Sequence, residues 1–91
     1  MIKSIHAQYE GKVQGVGFRA GILSLAKGYE LTGWVRNLSD GRVEVFVSGD
    51  ASEVEAFLLG IRESHLAGHI ENVALLPGTP EEGLRGFRII P

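Results

Sequence analysis

The sequence predicts an α+β fold: a ferredoxin-like α/β sandwich (βαββαβ), mainly an antiparallel four-stranded sheet with two helices on one face, plus a short C-terminal strand. Three observations lead there. Alternating apolar and polar residues begin near Ile5 and resume at Leu31 and Val43, the period of half-buried strands. Two other stretches, after Phe18 and after Asp50, carry apolar residues at helical spacing. The resulting order is strand, helix, strand, strand, helix, strand, and two helices of that length cover one face of a four-stranded sheet.

The first strand sets Ile5, Ala7, Tyr9 and Val13 against His6, Gln8, Glu10 and Lys12, one apolar face and one polar. After a glycine-rich loop, Ile22, Leu23, Leu25 and Ala26 form the apolar face of a helix that Lys27-Gly28 can end. Gly21 inside that helix costs about 1 kcal/mol against alanine, so an irregular first turn or unusually close packing is expected. Residues 31–37 make the second strand, with Trp34 and Val35 on opposite faces. Ser39-Asp40-Gly41 signals a hairpin, and the third strand places Val43, Val45 and Val47 opposite Arg42, Glu44, Phe46 and Ser48. Asp50 or Ser52 caps the second helix, with Glu53 or Glu55 completing a capping box. Its core stripe is Val54, Phe57, Leu58 and Ile61. Residues 69–76 form a fourth strand, 77–86 an exposed loop and 86–90 the last strand.

Ninety-one residues support one hydrophobic core, so residues 1–91 read as a single domain. Eleven acidic against nine basic side chains leave no basic field, which argues against a nucleic-acid partner or a membrane surface. The absence of cysteine rules out disulfides, thiol nucleophiles and thiolate metal sites. No metal and no cofactor are expected. Met1-Ile2-Lys3-Ser4 leads straight into alternating residues and no long apolar run follows, so a soluble, cytoplasmic protein is expected; a monomer is expected too, although no sequence feature fixes the oligomeric state.

The chemistry concentrates in Gly11-Lys12-Val13-Gln14-Gly15-Val16-Gly17-Phe18-Arg19, which runs from a strand end to a helix head. Alternate glycines let successive amides turn toward one point. A helix head adds unpaired N–H donors and the positive end of a dipole. Arg19 adds a permanent cation whose planar fork suits phosphate or carboxylate. Alone, Arg19 would read as a helix-end arginine paired with an acidic neighbour, and Asn37 as an ordinary strand-end residue; the glycine loop lifts both. Gly15-Val16-Gly17-Phe18-Arg19-Ala20 also satisfies a dinucleotide fingerprint, but this chain has no room for the repeated βαβ units that fold requires. An aromatic RNA-binding platform fails too, because Phe18 falls in a loop rather than on a central strand. Arg36 should point away from Asn37 to the surface, Trp34 should pack, His6 should be exposed, and His65 and His69 should be loop residues.

Residues 11–19, together with Gly33-Trp34-Val35-Arg36-Asn37-Leu38 and Asp40-Gly41-Arg42-Val43-Glu44-Val45, resemble the acylphosphatase family. Weaker echoes at Gly49, Val54, Phe57, Ile70, Val73 and Phe87-Arg88-Ile89 extend the resemblance over nearly the whole chain. It implies hydrolysis of a small-molecule acyl phosphate. It further implies that Gln14, Gly15, Val16, Gly17, Phe18 and Arg19 bind the phosphate, that Asn37 holds the attacking water, and that Arg19 and Asn37 are the catalytic pair. Two departures stand out: Ser64-His65 replaces the family's usual Gly-Pro, and Gly21 interrupts the first helix. A related domain opens large hydrogenase-maturation proteins that handle carbamoyl phosphate; a free-standing enzyme is expected here. The alternative is a non-catalytic anion-binding module that docks with a partner enzyme, sharing Arg19 and the loop but not the water.

Overall fold

The computed structural model describes residues 1–91 and shows that ferredoxin-like arrangement. Strand β1 (Ile2–Gly11) leads to helix α1 (Phe18–Ala26), then β2 (Leu31–Asn37), β3 (Val43–Asp50) and helix α2 (Ala51–Arg62). A short helical turn (Ala67–His69), β4 (Ile70–Pro77) and β5 (Phe87–Ile89) complete the chain. The sheet runs β4-β1-β3-β2-β5, antiparallel except that β5 lies parallel to β2. Tyr9 and Asn37 both face Val43 across their ladders, so β1 and β2, on either side of β3, finish at the same end of the sheet. That register brings the loop leaving β1 beside the end of β2.

Between sheet and helices lies the core: Ala7, Tyr9, Val35, Val43, Val45 and Val47 from the strands meet Phe18, Ile22, Val54, Phe57 and Ile61 from the helices. Val13 lies beyond β1 yet is also buried in that core. Asp50 caps α2, its carboxylate accepting from the Ser52 amide at 3.3 Å. The expected capping box does not form with Glu53, because the Glu53 carboxylate reaches across to accept from the Glu30 amide at 2.7 Å.

The two departures from the family pattern meet in space. Ser64 Oγ donates to the Ile61 carbonyl at 2.7 Å and accepts from the Leu66 amide at 3.1 Å, turning the chain after α2. Leu66 is thereby buried against α1, where a Cβ on Gly21 would stand 2.8 Å from its Cδ2. Gly21 is explained by close packing.

The face away from the helices differs from the expectation of an open polar surface. Glu44, Phe46 and Ser48 are all buried there. His6, expected to be exposed, lies against Phe46 at 4.8 Å between ring centroids and edge-on to Trp34 at 5.9 Å. Its Nδ1 is buried without a hydrogen bond, 3.5 Å from Glu44 Oε2. The cause is the loop at residues 77–86, which folds over this face: Trp34 Nε1 donates to Glu81 at 3.1 Å, and Gly78 passes so close that a Cβ would stand 2.9 Å from His6 Cδ2.

Candidate active site

The loop between β1 and α1 takes its shape from two glycines. Gly15 and Gly17 have φ of 77° and 78°, the left-handed region, while a Cβ at either would meet nothing within 4 Å. Backbone conformation, not lack of space, calls for glycine here. Gly17 is the N-cap of α1 and supplies no side-chain acceptor, and the first turn contains no acidic residue. The backbone N–H groups of residues 14–20 accordingly have no acceptor within the protein; the first amide to find one is Gly21, which donates to the Gly17 carbonyl at 2.9 Å. Such a run of open donors at a helix start favours an anion.

Phe18 fixes the far end of this loop. Its ring is buried against Tyr9, 5.5 Å between centroids, so only its amide is available to a ligand. Arg19 comes next on the helix and is partly exposed, and its guanidinium makes neither an ion pair nor a hydrogen bond with the protein. A recess of about 210 Å³ opens here, walled by Val13, Gly15, Gly17, Phe18, Arg19, Ala20 and Ile89. A larger hollow of about 350 Å³ beside Arg62, Ile70 and Glu71 gathers no comparable run of open amides.

Asn37 closes β2. Strand alternation puts its side chain on the face of buried Val35, whereas Arg36 turns to the opposite face as expected, where it pairs with Glu44 at 2.8 Å instead of standing as a free surface charge. The Asn37 Oδ1 is buried and has no hydrogen-bond partner. A buried amide oxygen left this way costs about 1–3 kcal/mol unless something else satisfies it. Asn37 is not part of the recess wall itself. Two links bring it close: Val35, two residues earlier, accepts from the Ile90 amide at 3.0 Å, next to the wall residue Ile89; and Gln14 reaches from the loop to the hairpin after Asn37.

Of the residues expected to hold phosphate, Gly15, Gly17, Phe18 and Arg19 share the recess wall, and Val16 sits at the exposed apex. Gln14 contributes differently. Its Nε2 donates to the carbonyls of Leu38 at 2.8 Å and Arg42 at 2.9 Å, which uses both amide hydrogens and leaves only the main-chain N–H for a ligand. At the hairpin tip, hydrogen bonds from the Arg42 amide and guanidinium hold the Asp40 carboxyl below the usual carboxylate range. Arg42 is thus partnered where Arg19 is free. Sequence reasoning missed Ile89, since nothing in residues 86–90 announces which strand they join.

An acylphosphatase family model matches residues 5–89, spanning both the loop and Asn37. The chain belongs to the acylphosphatase family. Among its acylphosphatase relatives, the acylphosphatase of Trichormus variabilis is 42% identical over 85 residues, covering 93% of this chain and 83% of the relative. The crystal structure of acylphosphatase from Bacillus subtilis superposes over 100% of both chains with a TM-score of 0.87 and 28% identity. The structure of T. kodakarensis HypF matches 98% of this chain at a TM-score of 0.84 and 31% identity, but only 12% of that longer protein. The acylphosphatase unit therefore occurs both as most of a protein and as a small part of one.

Proposed function

We propose that this chain hydrolyses the carboxyl–phosphate anhydride of small acyl phosphates to carboxylate and phosphate without a metal, the loop and Arg19 binding the phosphoryl group and Asn37 directing the water. The observation that carries this reading is the run of acceptor-free amides at residues 14–20 beside an unpaired Arg19. In phosphoryl transfer the charge sits on the three equatorial oxygens, where amides and a guanidinium neutralise it. The buried Asn37 Oδ1 accepts a hydrogen bond from water and aims its lone pair at phosphorus. A new P–O bond forms as the P–O bond to the acyl group breaks. The carboxylate leaves as a stable anion and needs no acid. An amide is too weak a base to take the water's proton, which passes to a phosphoryl oxygen.

Phosphate release from benzoyl phosphate or acetyl phosphate, followed with excess chelator, tests the reading. Turnover should be unchanged by the chelator. Activity that disappears with chelator and returns with Mg²⁺ would overturn the metal-free mechanism. Tight phosphate binding with no release of product would instead establish the non-catalytic binding module.

A further inference from the structure

We propose that the Gln14 side chain is a positioning residue that latches the anion loop onto the hairpin following Asn37, setting the line of attack rather than the affinity for phosphate. The inference rests on the reading of Asn37 as the water holder. Its basis is what ties the loop down. From Val13 to Val16 no backbone group bonds to another element; the preceding tie is Lys12 N–H to the His69 carbonyl at 3.0 Å. The Gln14 amide supplies the loop's cross-links, to Leu38 and Arg42, and these are the residues that close the hairpin through the Leu38 amide and Arg42 carbonyl at 2.8 Å. Leu38 directly follows Asn37 in the chain. Val13 and Phe18 anchor the ends of the loop in the core, and Gln14 alone hydrogen-bonds it to the hairpin that follows the residue presenting the nucleophile.

Loss of such a latch has a particular signature. The open amides and Arg19 still gather phosphate, since neither depends on Gln14 Nε2. The water and the phosphorus, however, are no longer held in line, and a misplacement of about 1 Å costs on the order of 10²-fold in rate. Gln14→Met keeps the length of the side chain and removes both donors. We expect kcat to fall by roughly 10–10²-fold while competitive inhibition by inorganic phosphate changes by less than about threefold. A double-mutant cycle with Asn37→Ala supplies the decisive readout. If Gln14 acts by aligning phosphorus with the water at Asn37, the double variant turns over no more slowly than Asn37→Ala alone. Normal turnover in Gln14→Met, or parallel losses in kcat and phosphate inhibition, would overturn the latch. So would losses that multiply in the double variant while Asn37→Ala alone is severely impaired; that result leaves the water role standing. Near-normal turnover in Asn37→Ala would remove the water role and the latch with it.

Discussion

Arg19 and Arg36 occupy opposite sides of the same small molecule and have opposite fates. Arg36 lies on the sheet face away from the helices, where its Nε and Nη2 donate to Glu44 Oε1 at 3.0 and 2.8 Å and its guanidinium carbon sits 5.1 Å from the centroid of the Trp34 ring. Glu44 also accepts from Gln8 at 3.2 Å, and Gln8 in turn accepts from Arg42 at 2.6 Å. Around Arg19 the pattern inverts: an open guanidinium, a run of open amides and, beyond them, a buried amide oxygen with no partner. Folded proteins satisfy nearly all their buried polar groups. One face pairs Arg36, Glu44, Gln8 and Arg42 with one another, whereas the other leaves Arg19 and a run of amides open, the arrangement expected where an anion is to bind.

The largest expected effect comes from Arg19→Ala, which should lower turnover by roughly 10³-fold or more and abolish competitive inhibition by phosphate. Because no internal partner is lost, its unfolding free energy should stay within about 0.5 kcal/mol of the parent. Normal phosphate inhibition in this variant would break the contrast at its strongest point. Asn37→Ala should cost about 10²–10³-fold in kcat with phosphate inhibition retained, which separates holding the anion from aiming the water. Glu44→Gln should do the reverse of both: turnover stays close to the parent, and urea denaturation shows a loss of about 1–2 kcal/mol.

The Glu44 effect carries a pH signature. Burial works against ionisation of its carboxyl, but hydrogen bonds from Arg36 and Gln8, with the charges of Arg36 and His6, outweigh burial and hold its pKa below the ordinary value. A depressed folded-state pKa contributes stability above the unfolded value, about 4.3 for glutamate, and loses it as pH falls through the folded value. The stability gap between parent and Glu44→Gln should therefore be full at neutral pH and narrow below about pH 4. A gap that persists unchanged into strong acid would show that shape, not charge, is what the substitution disturbs.

Much of this was legible from residue order. Alternation in β1 and β3, the helical stripe of Val54, Phe57 and Ile61, and the alternating glycines before Arg19 reflect local geometry, which sequence encodes directly. What escaped depends on contacts between distant segments. Alternation assigned His6 to the correct face but carries no information about what lies over that face, so the cover from residues 77–86 went unseen. Glu53 fits a capping box until Glu30 offers it an amide. Gly21 could be marked as anomalous, but its explanation needed Leu66, 45 positions away. In the candidate site, the alternating glycines and Arg19 could be marked from the sequence as a loop suited to an anion, whereas the grip of Gln14 on Leu38 and Arg42 depends on how a hairpin closes nearby.

Phe18 also constrains how the enzyme can move. With this ring plugged into the core and Gln14 fastened at the other end, only Gly15, Val16 and Gly17 remain between the two anchors, too few to swing as a gate over bound substrate. Any closing over a bound anion would therefore fall to segments other than this loop.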